Sequence, residues 1–304
     1  MSYLGIDIGG TKTALLMERP GARPAYIRFD WPAGADADAD LAALAGAVSR
    51  LTGAGGPRTV RAVGIALPAT VQDGVMVAWP SRPSWAGVRV GALLERALPG
   101  VPVAHGDDGS LAALAEAAAT GARDLAYLGV GTGVGGGLVL GGALHSGPRG
   151  GAAEIGHMVV DPGGPVCVCG RVGCLQAVAS GTATLTRAAA LLGAPVSPEA
   201  FGAGLGQDRP WATEALRPTV AALSVAVINL GELVQCAEVR IGGGFGHGVP
   251  GLVAAVREGS RRLARPGAPA PAVRRAAAGA RASLRGALLL ARATAPGPRA
   301  GSAG

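Results

Sequence analysis

Three glycine-rich turns, Gly9-Gly10-Thr11, residues 131–137 and residues 242–244, each follow a short apolar run. Without a Cβ the chain bends freely and a ligand approaches closely, so the backbone N–H groups of such a turn can converge on phosphate oxygens. In a chain with 52 glycines each could equally be an ordinary turn. Asp7, just before the first turn, could face Mg²⁺ through water or simply cap the turn. Lys12, the only lysine in the chain, could add charge to a phosphate or stand solvated. Two familiar phosphate motifs fail here. A P-loop needs glycine directly before Lys-Ser/Thr, and Thr11 stands between Gly10 and Lys12. Residues 131–136 match GxGxxG, but the strand-like LVLGGAL follows where that motif needs a helix.

Two further groups carry reactive side chains. Asp107 and Asp108 are adjacent carboxylates ahead of an alanine-rich stretch. Taken alone they read as a helix N-cap, although a carboxylate within reach of an alcohol can also accept its proton. Cys167, Cys169 and Cys174 fall within eight residues. In a reducing compartment that clustering suggests metal rather than a disulfide. Two thiolates one residue apart, a glycine turn and a third thiolate make a compact knuckle with one ligand position left for a histidine. Cys236, alone in an apolar helical stretch, reads as core.

These residues need elements to hold them. Residues 2–17 read as strand, glycine turn and second strand, with Asp7 near the end of the first. A Pro/Gly/Asp-rich connection through Asp40 leads to a helix over 41–51 and a strand over 60–67. After a turn-rich stretch come a helix over 88–98, a strand over 101–104 and a helix over 110–119. Residues 125–140 then repeat the strand–glycine–strand opening. Helices follow over 183–192 and 211–233, a strand over 238–241, and helices near 252–263 and 282–292. Two halves that open alike predict a duplicated α/β fold with a cleft between two domains, 1–107 and 108–281. The C-terminal helix 282–294 completes the first, and 295–304 form a flexible tail.

Composition narrows the function classes. Apolar residues make up 49% of the chain and charged ones 15%, enough apolar content for a large core. The net charge of +7 comes from scattered arginines without an aromatic-interleaved basic stripe, although residues 257–285 are locally basic, so nucleic acid is not the expected partner. No basic leader precedes Asp7, which predicts a cytoplasmic protein. The longest uncharged run, 125–144, has eight glycines among its twenty residues, which suits turns between short strands better than a helix in lipid.

DIGGTKT at 7–13, GDDGSLAALAE at 106–116, GVGTGVGGG at 129–137, GAAEIGH at 151–157, CVCGRVGCLQ at 167–176, IGGGFG at 241–246 and GARASLRGALLLA at 279–291 together resemble the ROK family of sugar kinases and related repressors. The resemblance spans nearly the whole chain. It implies an actin-like ATPase (ribonuclease H-like) fold of two α/β domains that binds MgATP and a sugar and phosphorylates a hexose, commonly at the 6-hydroxyl. It implies nucleotide contacts from Asp7 (through Mg²⁺), Gly9, Gly10, Thr11, Lys12, Gly131, Thr132, Gly133, Gly243 and Gly244. Asp108 corresponds to the catalytic base, and Asp107, Glu154, His157 and Gln176 fall at sugar-binding positions. A structural Zn²⁺ site carries over to His157, Cys167, Cys169 and Cys174, with the metal on one imidazole nitrogen orienting the other. Family repressors carry a helix-turn-helix before the DIGGT segment, and six residues precede it here, so an enzyme is expected. Homodimers or homotetramers are common in the family.

The sequence departs from the family pattern around the sugar. Asp107 replaces an asparagine that contacts the 3- and 4-hydroxyls, Gln176 replaces a glutamate that reaches toward the 1- and 2-hydroxyls, Ser81 replaces an asparagine, and Ala69 a glycine. A carboxylate at 107 beside Asp108 forces two like charges together unless the ligand brings a cation. An ammonium at carbon 3, flanked by Asp107 and Glu154, would supply it. The expected substrate is therefore kanosamine (3-amino-3-deoxy-D-glucose), a precursor suited to an aminosugar-derived antibiotic pathway. The alternatives are glucose, a C7-cyclitol or another hexosamine.

Overall fold

The computed structural model describes residues 2–32, 34, 36–56, 59–79, 82–147 and 153–295. Ser81, residues 151–152 of the GAAEIGH segment and all of the expected tail except Ala295 lie outside them. The chain forms two compact units, Met1–Ala115, Ser146–Ala152 and Arg281–Gly304 in one, Glu116–His145 and Ala153–Ala280 in the other.

The first unit opens with a hairpin of β1 (Ser2–Ile8) and β2 (Lys12–Glu18), followed by β3 (Ala25–Asp30), α1 (Ala37–Thr52), β4 (Val60–Leu67), the small hairpin β5 (Thr70–Gln72) and β6 (Val75–Ala78), α2 (Val90–Ala97), β7 (Val103–Asp107) and the start of α3 (Asp108–Thr120). Its sheet has the order β3-β2-β1-β4-β7. β1 runs antiparallel to β2 and parallel to β4, and β4 runs parallel to β7. The central strands β1 and β4 are buried almost throughout, as expected for strands covered on both faces, whereas β3 at the edge alternates half-buried and exposed residues. That weak, half-exposed pattern among Pro and Gly is why the sequence read β3 as a connection. Asp36 starts α1 by accepting from Ala39 N (2.9 Å), and Gly53 at positive φ ends it.

The second unit begins with the hairpin β8 (Leu125–Val130) and β9 (Val134–Leu140), then β10 (Ala143–Leu144). After the cysteine-bearing segment come α4 (Leu175–Ala179), α5 (Gly181–Leu192), α6 (Pro198–Gly206), α7 (Pro210–Val234), β11 (Glu238–Gly242), α8 (Gly244–Gly248), α9 (Leu252–Leu263) and β12 (Ala272–Arg275). Its sheet order, β10-β9-β8-β11-β12, repeats that of the first unit strand for strand, with the same antiparallel and parallel relations. α7 has the length and composition of a membrane span, but ten of its residues are buried, and many of them join the core of this unit. Cys236 is buried as expected, yet lies beyond the end of α7, which Gln235 closes in the left-handed conformation.

The chain finally returns to the first unit as α10 (Ala282–Thr294), which packs on β1, β4 and the start of α3. The division between the units thus falls inside α3, between Ala115 and Glu116, and not ahead of Asp108: the first turns of α3 seat against Gly286 of α10, where a Cβ would strike the Leu111 carbonyl.

Candidate active site and metal centre

In the first unit, the turn between β1 and β2 is closed by Gly9 N donating to Lys12 O (2.9 Å), with Gly10 and Thr11 between them. Asp7 ends β1 beside this turn, and Ser283 Oγ of α10 donates to its Oδ2 (2.6 Å). Burial pushes the Asp7 carboxyl up from its usual range, opposed by the Ser283 hydrogen bond and the Lys12 charge. The side chain is thus a partly desolvated carboxylate that a dication would stabilise. Ser283 was not foreseen as its partner, since 276 positions separate the two.

The two aspartates divide their tasks at the junction of β7 and α3. Asp107 Oδ1 accepts from Ser110 N (3.0 Å), so Asp107 is the N-cap of α3, and Asp108 is the first helical residue, exposed at the positive end of the helix dipole. The capping role that the dipeptide suggested therefore falls to Asp107.

In the second unit, Gly131 N donates to Gly133 O (2.9 Å), leaving Thr132 at the tip of the turn, and Gly181 N at the start of α5 donates to Gly131 O (2.8 Å). Gly243 has φ +81°, and a Cβ there would strike the Val130 backbone, so β11 can pass to Gly244 and α8 beside β8 only with glycine at this point.

Glu154 and His157 lie at the two ends of a 3-10 turn, Ile155–His157, closed by His157 N donating to Glu154 O (2.9 Å). His157 Nδ1 is 3.8 Å from Cys167 Sγ, and Cys169 Sγ is 3.7 Å from Cys174 Sγ. One ligand atom from each of His157, Cys167, Cys169 and Cys174 lies within 4.8 Å of all the others. Two thiolates each about 2.3 Å from a tetrahedral zinc stand about 3.8 Å apart, so the donor set matches that ion in both chemistry and spacing. The loop is built for this: Cys167 N donates to Arg171 O (2.7 Å) and Gly170 N to Cys167 O (2.9 Å). The backbone N–H of Arg171 pulls the Cys169 thiol down to about 6, while burial pushes Cys174 up to about 11. A metal cation would draw the second thiol to its thiolate as well.

Gln176, at the start of α4, donates from Nε2 to Cys167 Sγ (3.3 Å). The structure therefore places its amide nitrogen on the knuckle. Glu116, the last residue of the GDDGSLAALAE segment, is fully buried and accepts from Ala277 N (2.8 Å) and Ala278 N (2.7 Å), with Arg240 NH1 at 4.0 Å. Nothing local in an alanine-rich helix signals such a contact.

Residues 3–294 match the model of the ROK family. The kanosamine kinase of Amycolatopsis mediterranei is 48% identical over 297 residues, 97% of each chain. Among solved structures, a ROK hexokinase from Thermus thermophilus superposes with a TM-score of 0.84 at 33% identity, covering 96% of this chain and 98% of that one. A ROK family glucokinase from Streptomyces griseus, solved with glucose and AMPPNP, gives 0.77 at 29% identity, covering 96% and 100%. The fold is that of the actin-like ATPases, as the repeated sheet indicates.

Proposed function

The chain belongs to the ROK family, and from that premise we propose that it transfers the γ-phosphoryl group of ATP to the 6-hydroxyl of kanosamine. The observation that carries the substrate is the adjacent pair Asp107 and Asp108 at the β7–α3 junction, in a chain whose 48% identical relative is a kanosamine kinase.

Asp108, exposed on the first turn of α3, accepts the proton of the sugar's primary alcohol as its oxygen attacks phosphorus. Asp107 accepts from Ser110 N with one carboxylate oxygen and is a carboxylate where the family pattern has a neutral amide, so an ammonium on the sugar would relieve the repulsion between the two carboxylates. Glu154 and His157 bind further sugar groups. The amides of the turn at Gly9–Lys12 in the first unit, and those of the turns at Gly131–Gly133 and Gly243–Gly244 in the second, would be the nucleotide contacts, and Asp7 would face a Mg²⁺ that spreads the charge developing on the phosphoryl oxygens. Zinc held by His157, Cys167, Cys169 and Cys174 would supply rigidity, since a closed set of three thiolates and an imidazole leaves no position for substrate. With Nδ1 3.8 Å from Cys167 Sγ, a metal held through Nδ1 would leave Nε2 of the imidazole for the sugar.

ADP release over a panel of kanosamine, glucose and N-acetylmannosamine tests this reading. Kanosamine is expected to give the highest kcat/KM, and Asp107→Asn to reduce the kanosamine-to-glucose ratio by roughly ten- to a hundredfold, the worth of one charge-assisted hydrogen bond. A wild-type preference for glucose, or an unchanged ratio in the variant, would overturn the assignment of the substrate.

A further inference from the structure

Three of the chain's four tryptophans form a run of ring contacts, Trp79 on Trp85 and Trp85 on Trp31, that ends at the turn at Gly9–Lys12, in a chain with few aromatics. Trp31, just beyond β3, touches the turn twice: its backbone N donates to Thr11 O (3.0 Å) and its indole Nε1 to Gly9 O (2.7 Å). Arg82 supplies the contact between them, with Nε directed to Gly10 O at 3.4 Å. The guanidinium lies 5.4 Å from the Trp31 ring centroid, and its NH1 reaches both oxygens of Asp40 (2.8 and 3.0 Å). Asp40 is fully buried in α1 and also accepts from Trp85 Nε1 (2.8 Å). Trp85 in turn meets Trp79 edge-on at 5.0 Å.

Three successive carbonyls, those of Gly9, Gly10 and Thr11, are thus each held by Trp31 or Arg82. In a trans peptide the C=O and the N–H of the following residue point in opposite directions. Holding those oxygens therefore turns the amides of Gly10, Thr11 and Lys12 to the opposite side, the arrangement in which consecutive N–H groups form an anion-binding concavity. Glycine makes this turn possible, but glycine also leaves it free to adopt other conformations, and something outside the turn must select one.

We propose that Trp31 and Arg82, the latter clamped by the buried Asp40, are positioning residues that preset the amides of the Gly9–Lys12 turn for the phosphates of the nucleotide. The proposal rests on the reading above that this turn receives a phosphate tail. Arg82 is charge-balanced by Asp40 and faces backbone oxygen, so its part is to hold the turn's geometry. The benefit is preorganisation: an amide set already held in place loses less conformational freedom when the ligand arrives.

The test compares AMPPNP with adenosine, both measured by calorimetry in the presence of Mg²⁺, so that the phosphate contribution is read apart from the base. Trp31→Phe removes the bond to Gly9 and keeps a ring beneath the guanidinium. Arg82→Lys keeps a cation for Asp40 and loses the Gly10 contact. In each variant AMPPNP affinity is expected to fall roughly fivefold, the worth of one hydrogen bond, with adenosine affinity and the sugar KM unchanged within twofold. In the wild-type chain, the Trp31 indole proton should shift in NMR spectra on adding AMPPNP and stay in place with adenosine, which needs no variant to fold. Wild-type protein that binds AMPPNP no better than adenosine would remove the turn from the nucleotide site altogether. A wild-type phosphate increment that both variants retain, or an indole proton indifferent to AMPPNP, would overturn the brace alone.

Discussion

Asp107 and Asp108 show how two identical neighbours acquire different chemistry from backbone position alone. Asp107 sits one residue outside α3 and spends an oxygen on Ser110 N, whereas Asp108 sits inside the first turn, where the helix dipole favours its charge. A base that only removes a proton in the transition state is replaceable without loss of binding. Asp108→Asn is therefore expected to lower kcat by roughly a thousandfold while changing the sugar KM little, as measured by steady-state kinetics. Asp7 makes the opposite trade. Because burial raises its pKa in the folded chain above the unfolded value, the folded form holds the proton more firmly. Its contribution then favours folding at acid pH, below the unfolded value, and is lost as pH rises through the folded one. Asp7→Asn, whose amide oxygen can still accept from Ser283, should raise Tm at pH 7–8 relative to wild type. The advantage should shrink as the medium is acidified toward pH 4, and phosphorylation should be lost. A thermal unfolding series across that range reads the sign directly.

Elements in this molecule are seated by absent side chains as much as by present ones. α10 lies against β1 and β4 so closely that a Cβ on Gly5 would come within 2.9 Å of the Leu284 carbonyl oxygen, and one on Gly64 would strike the Ala287 carbonyl. Backbone cannot yield as a flexible side chain can, so Gly64→Ala is expected to cost about 3 kcal/mol by overpacking. Denaturant unfolding of the variant should show that loss in its midpoint. The same closeness brings Ser283 to Asp7, so the element that closes the core also tunes the carboxylate. In the second unit Glu116 ties the chain at Ala277 and Ala278, just ahead of α10, through two backbone hydrogen bonds. A buried carboxylate with these partners is satisfied, which is why it survives in an otherwise apolar helix.

At the scale of the whole molecule, the first unit is discontinuous in sequence: its core is built from residues 4–101 and its last helix arrives only after the second unit is complete. The second unit has its own apolar core and its own donor set for a metal. A chain ending at Ala280 is therefore expected to lose the unfolding transition of the first unit while retaining about one zinc per chain, measured by calorimetry and metal analysis. Those features that depend on neighbours in sequence were legible from the residues alone: both strand–glycine–strand openings, β4 over 60–67, the helix that Asp107 caps, and three cysteines spaced for a knuckle. Hydrophobic periodicity, turn chemistry and ligand spacing are local properties, so they are written along the chain. What only the tertiary structure decided are contacts between distant positions: Arg82 on Asp40 across 42 residues, Ser283 on Asp7 across 276, Gln176 turned onto a sulfur, and Trp31 bracing a glycine turn. No periodicity marks these pairs, because each partner is ordinary in its own segment and becomes specific only when packing brings it against the other.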